Sequence, residues 1–253
     1  TTLMRHALAV VPNNYAAHNN LGHELDRQGD STGAEREYRA VLRIKPDDAV
    51  AMNNLAVKLA ARGEIREAKA LYRQAIRRDT SYAPAYVQLA NIYAREGRRD
   101  DAIKLYEQAI DLDPLLPEAH HNLAVSLAEG GSFTVAIAHW RKAIDLNPSY
   151  VDAHHGYGLA LIFVGQTGAG IAEMKRALER DPKRVDTRAL LAWTLATHAK
   201  VEIRDPAAAL ELARRACELS PQPDAKLLDT LAAAEAATGL FAEAAQTAAA
   251  AVA

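Results

Sequence analysis

Carboxamides recur at a fixed interval in this chain. Asn20, Asn54, Gln88 and Asn122 stand 34 residues apart, with Asn91 close by. A side-chain amide carries a donor and an acceptor on one planar group. It can therefore pair with the N–H and C=O of a peptide backbone without reading that peptide's side chains. A row of such groups holds an extended chain; it does not break bonds. Histidine is the second spaced set: His120-His121 and His154-His155 are again 34 residues apart. Successive residues on a helix point about 100° apart, so neither pair readily chelates one ion. The histidines read as packing or contact groups, and no metal or other cofactor is expected.

Other chemistries find little support. The chain has no nucleophile elbow, P-loop or HExxH motif. Gly165-Gln166-Thr167-Gly168-Ala169-Gly170 is glycine-rich, but it joins two helical patterns and follows no strand, so it does not read as a phosphate cradle. Arg36, Arg39, Arg43, Arg73, Arg77 and Arg78 are interspersed with acids and read as a solvated helix face. No enzymatic activity is expected. A net charge of −2 supplies no field to draw in nucleic acid or an anionic membrane. The single cysteine, Cys217, rules out an internal disulfide. That fits a reducing compartment without requiring one, so cytoplasm and periplasm both stay open. There is no run of 18 apolar residues, and Thr1 onward does not read as a secretory leader. The start at Thr1-Thr2-Leu3 and the alanine-rich end at 248–253 read as cuts from a longer protein. Membrane association is expected only through parts of such a parent chain.

The elements that position the amides follow from the same period. Pro12, Pro46, Pro114, Pro148 and Pro182 lie on the 34-residue grid, with Thr80 in the vacant slot. Gly29, Gly63, Gly97, Gly131 and Gly165 run in phase, as do Ala34, Ala68, Ala102 and Ala136. In the stretch 49–82, Met52, Leu55, Ala56 and Leu59 follow a helical period. Gly63 permits a tight reversal. Ala68, Leu71, Tyr72, Ala75 and Ile76 then line one face of a second helix. Small residues sit where backbones approach and large ones between them. Asp205-Pro206 reads as an N-cap followed by proline at the first helical position. A fixed period of this length means stacked small units rather than one closed globule.

These in-phase slots resemble the tetratricopeptide repeat (TPR) family across essentially the whole chain. The resemblance implies an all-α fold, a right-handed α-solenoid of helix-turn-helix repeats forming one superhelix over 1–253. Its expected parts are a partial unit 1–14 and units 15–48, 49–82, 83–116, 117–150, 151–184, 185–224 and 225–253, with about five extra residues near 200–205. Packing is expected to be less regular from residue 151, where Gly170 replaces alanine and Met174 and Ala213 replace the aromatic.

In such an array, first-helix positions 2, 5, 6, 9, 12 and 13 face a concave groove. That places Asn20, Asn54, Gln88, Asn91, Asn122, His121, His155, Leu159, Phe163 and Trp193 in a peptide-binding groove. The amide row is similar to the asparagine ladder in the TPR region of O-linked N-acetylglucosamine transferase. The alternative for the same asparagines is hydrogen bonding between neighbouring helices. Leu159, Ile162, Phe163 and Trp193 would form an apolar inner cluster, and the space at Gly156 would seat one anchor side chain. The alternative is that these residues pack on one another. The expected function is a protein-interaction scaffold binding a protein or peptide in extended conformation, with no nucleic acid. The second function considered is a substrate-recruiting region of a larger enzyme. The stretch 193–253 resembles bacterial TPR proteins, some of which carry glycosyltransferase domains. Self-association through the terminal helices is a third expectation.

Overall fold

The computed structural model describes residues 2–252, and the described residues form α-helices, one 3-10 turn and short connections. Two compact units divide the chain, one reaching to Ser126 and the other running from Leu127, with the division falling inside a helix.

The first unit holds α1 (Thr2–Val10), α2 (Tyr15–Arg27), α3 (Ser31–Ile44), α4 (Ala49–Ala61), α5 (Ile65–Arg78), α6 (Ala83–Arg95), α7 (Arg99–Leu112) and most of α8 (Pro117–Glu129). Helices pack as consecutive pairs, α2 on α3, α4 on α5 and α6 on α7. Each second helix also packs on the next first helix, α3 on α4 and α5 on α6. The second unit repeats the scheme with α9 (Phe133–Leu146), α10 (Val151–Phe163), α11 (Thr167–Arg180), α12 (Val185–Thr197), α13 (Pro206–Leu219), α14 (Ala225–Ala237) and α15 (Phe241–Ala251). Here α10 packs on α11, α12 on α13, α14 on α15, and α12 also touches α14.

Local chemistry fixes the helix ends. The turn glycines adopt φ between 74° (Gly97) and 85° (Gly63), a left-handed conformation that a Cβ disfavours. Asn14, Asp48, Asp205 and Asp224 cap α2, α4, α13 and α14 by accepting from a backbone N–H three residues on. Asp205 stands before Pro206 as its sequence suggests, and residues 198–205 join α12 to α13 where 28–30 suffice between α2 and α3. Thr80 breaks the proline grid without losing the turn. Asp79 Oδ1 accepts from the Ser81 N–H at 2.9 Å and from its hydroxyl at 2.6 Å, and Asn147 does the same for Ser149.

A second periodic device pins five turns to their following helices, while in the same slot after the Pro46 turn Met52 is simply buried. His18 Nε2 donates to the Pro12 carbonyl (2.9 Å), Tyr86 Oη to Thr80 (3.0 Å), His120 Nε2 to Pro114 (3.2 Å) and His154 Nε2 to Pro148 (3.1 Å). Arg188 donates to Pro182 in the same way. Two of these histidines reach a second helix as well: His18 Nδ1 meets Glu37 at 2.6 Å and His154 Nδ1 meets Glu173 at 2.7 Å. A long donor in this slot reaches the turn carbonyl, which histidine, tyrosine and arginine all do, whereas Met52 fills it by apolar packing alone. Among the described residues, no group of three His, Cys, Asp or Glu is placed to hold a metal ion.

The alanine slots are fully buried, and Tyr38, Tyr72 and Tyr106 fill the spaces between helices. Where a larger ring enters, a glycine faces it. A Cβ at Gly156 would lie 2.7 Å from Trp140 Cε2, so the space at Gly156 is filled by the indole and seats no anchor. The pair is complementary in volume. Gly156→Ala should therefore lower stability by about 1–2 kcal/mol, with most of the loss recovered in combination with Trp140→Tyr. A double-mutant cycle by denaturant unfolding reads this directly.

Candidate functional site

Side chains of the first helices meet across neighbouring pairs, and the expected site residues lie among these contacts. In the first unit, Lys58 of α4 bonds Asp26 of α2. Asn122 Nδ2 of α8 donates to Asn91 Oδ1 of α6 at 2.9 Å, and the same oxygen accepts from Tyr106 Oη at 2.6 Å. For Asn91 and Asn122 the interhelical bonding expected as the alternative is thus real. The other row members differ. Asn20 is exposed, and Asn54 and Gln88 are half-buried. Asn54 accepts only from its neighbour Asn53, at 3.3 Å, and neither Asn20 nor Gln88 makes a side-chain hydrogen bond among the described residues. No row amide holds a buried unpaired atom, so these groups still exchange with solvent. His121 is half-buried.

The second unit holds His155, Leu159, Phe163 and Trp193. His155 Nδ1 lies 2.8 Å from Thr187 Oγ1, tying α10 to α12. The Thr187 hydroxyl donates to Asp186, so the ring nitrogen is the donor to Thr187. Arg184, in the turn before α12, grips Asp186 through Nε (2.8 Å) and Nη2 (3.0 Å) and also bonds Asp152. Burial would raise the Asp186 carboxyl, but the Arg184 hydrogen bonds, His155 and the Thr187 amide outweigh it, and Asp186 is held below the usual range.

Burial pushes the His155 imidazole below its ordinary value; Arg184 acts in the same direction, while Asp186 and Asp152 oppose. Its folded value thus lies beneath the unfolded one, near 6.5. The corresponding stability is full above the unfolded value and is lost as pH falls through the folded one. An NMR titration should give a His155 midpoint below about 6.5; a midpoint above it would mean that the carboxylates dominate.

The apolar residues do not form the single cluster expected of them. Leu159 and Trp193 are each 44% exposed and Phe163 67%. Phe163 stacks on Phe133, with ring centroids 4.0 Å apart. Ile162 faces the other way: it packs into the core of α11–α13, and a Cβ at Gly170 would come within 2.7 Å of its Cγ1. Trp193 instead joins Leu190 and Leu227 around a cavity of about 530 Å³ between α12 and α14. Sequence reasoning stopped at the first helix of 185–224 and so missed the opposite wall, Lys226 and Leu227. Continuing the same positional count into α14 reaches Lys226 at once.

Consecutive helix pairs of near-constant length, joined at left-handed glycines and sharing first-helix side chains, define a helical-repeat protein of the α-solenoid class. The tetratricopeptide repeat family matches in overlapping segments at residues 2–49, 19–83, 53–117, 87–151 and 121–183, and the chain belongs to that family. Solved structures agree on the fold. One is YrrB, described as a TPR protein with an unusual peptide-binding site; it is 23% identical, with 73% of this chain and 93% of that one covered at a TM-score of 0.59. PilF of Pseudomonas aeruginosa is 20% identical, with 83% and 93% covered and a TM-score of 0.72. A tetratricopeptide repeat protein of Parabacteroides merdae is 18% identical, with 92% and 90% covered and a TM-score of 0.63. No curated protein sequence matches the chain. No helix among the described residues is long and apolar enough to cross a membrane.

Proposed function

We propose that this chain is a protein-interaction scaffold that binds extended peptide segments along its first helices. On the first unit, the carboxamides of Asn20, Asn54 and Gln88 pair with the partner's backbone. On the second, the exposed surface at Leu159 and Trp193 anchors a partner side chain. The observation carrying the proposal is that, among the described residues, these three amides form no bond between helices, although Asn91 and Asn122 do. Their periodic placement therefore has no use between helices among the described residues, whereas a peptide backbone supplies both complements of an amide. YrrB, a family member described as having a peptide-binding site, supports the class of ligand.

Backbone pairing is sequence-tolerant, and ordering a flexible partner costs free energy, so affinities should be modest. The test uses peptides selected from a random displayed library on the wild-type chain. Asn54→Ala combined with Gln88→Ala should weaken the selected peptides by about tenfold, two lost hydrogen bonds at roughly 0.5–1.5 kcal/mol each. Neither amide joins helices, so the melting temperature should fall by a few degrees at most, through loss of the Asn53–Asn54 contact within α4. Equal affinity for the double variant, or a failure to select any peptide, would remove the proposal. Asn122→Ala is the less clean variant, since it also removes the bond to Asn91.

A further inference from the structure

The cavity between α12 and α14 combines two kinds of wall. Leu190, Trp193 and Leu227 form an apolar side, and Asp186, Asp224 and Lys226 are the charged groups at its edge. Asp186 is held ionised by its bidentate bond to Arg184, and Asp224 Oδ1 caps the Leu227 N–H. Lys226 is exposed and forms no ion pair with either carboxylate among the described residues. Asp229 on α14 and Asp152 on α10, which Arg184 links to Asp186, are also exposed. The face thus carries four carboxylates (Asp152, Asp186, Asp224, Asp229) against two cations (Arg184, Lys226). Arg188, the cation within α12, is turned to the Pro182 carbonyl and lines a different cavity.

An apolar wall with a half-exposed indole beside carboxylates suits a long aliphatic stem ending in a delocalised cation. The stem lies along Leu190 and Leu227, and a guanidinium stacks on the indole face while facing the acids. A purely apolar occupant would strip water from the carboxylates and return nothing. An anionic occupant would meet an excess of like charge.

We propose that this cavity takes an arginine side chain of a partner protein. The proposal rests on the reading that the second unit anchors a partner side chain, and it names the chemistry of that anchor.

The test uses the whole chain, 15N-labelled, titrated with Nα-acetylarginine N-methylamide and separately with Nα-acetylnorleucine N-methylamide. The two probes share a backbone and an aliphatic stem and differ in the charge. The chain has two tryptophans, and buried Trp140 serves as the internal reference for the Trp193 indole N–H signal. The arginine probe should shift the Trp193 signal saturably and bind about threefold or more tighter than norleucine. Asp224→Asn keeps an N-capping side chain and should weaken that probe; Lys226→Ala should tighten it. Equal binding of norleucine, a shift confined to Trp140, no shift at all, or weaker binding in Lys226→Ala would each overturn the assignment. If the arginine probe fails while library-selected peptides still bind through Asn54 and Gln88, the arginine assignment falls and the peptide-binding proposal stands.

Discussion

Replacing His154 by alanine should cost about 3–5 kcal/mol of local stability in the second unit. The ring is 2% exposed and bridges three segments. Its Nε2 donates to the Pro148 carbonyl in the turn, and its Nδ1 meets Glu173 of α11. Glu173 is itself buried and, among the described residues, otherwise paired only with Arg176, whose side chain is largely in solvent. Without the ring, a buried carboxylate loses its inner partner, the Pro148 carbonyl loses its donor, and a void opens. Glu173→Gln should cost far less, about 1 kcal/mol, because a glutamine amide keeps a hydrogen-bonding group opposite Nδ1 while Nε2 still serves Pro148. In a helical-repeat protein such losses are local. Hydrogen exchange across α10 and α11 is therefore the appropriate reading, and similar protection in His154→Ala and wild type would show that the bridge carries little energy.

Gly170→Ala should destabilise α10–α11 by about 1–3 kcal/mol, although alanine gains roughly 1 kcal/mol of helix propensity over glycine. A Cβ at Gly170 would sit 2.6 Å from the Gly158 carbonyl oxygen, and one at Gly158 would sit 2.9 Å from the Gly170 carbonyl oxygen. Both obstacles are helix backbone, which cannot move aside like a flexible side chain. In the equivalent pair Ala56 and Ala68, both methyl groups are fully buried. There Ala68→Gly should also destabilise, by about 1 kcal/mol or more, through lost propensity and a void. Alanine and glycine thus have opposite preferred places in one repeat slot. A stabilised Gly170→Ala in denaturant unfolding would show that the two backbones are free to separate.

These two glycines illustrate what a one-dimensional pattern carries. The 34-residue grid located the helices and turns, because turn glycines, capping residues and apolar periods act within a few residues of one another. From the sequence, Gly170 looked like a replaced alanine in a less regular stretch, and Gly156 looked like an empty seat. Both are answers to a neighbour across the helix interface: Gly158 for one, Trp140 for the other. Volume complementarity between distant residues leaves no periodic trace. Ile162 failed for a related reason. Position 12 of the first helix sits at the edge between inner face and core, and the close approach at Gly170 draws it into the core. The amides were legible as a row, but not the division within it. Only the structure shows that Asn91 and Asn122 bond each other while Asn20, Asn54 and Gln88 make no bond between helices among the described residues. Arg184, a turn residue outside the helical count, was invisible as the bridge between Asp152 and Asp186.

Recognition through main-chain groups can be examined on the partner itself. A library-selected peptide should be made in two forms, one with successive backbone nitrogens methylated and one with the same positions replaced by alanine. Carboxamides that hold main-chain N–H and C=O groups predict that methylation at the contacting positions weakens binding by about tenfold while alanine replacement there changes little. Sensitivity to the side chains with indifference to backbone methylation would contradict the role assigned to Asn20, Asn54 and Gln88.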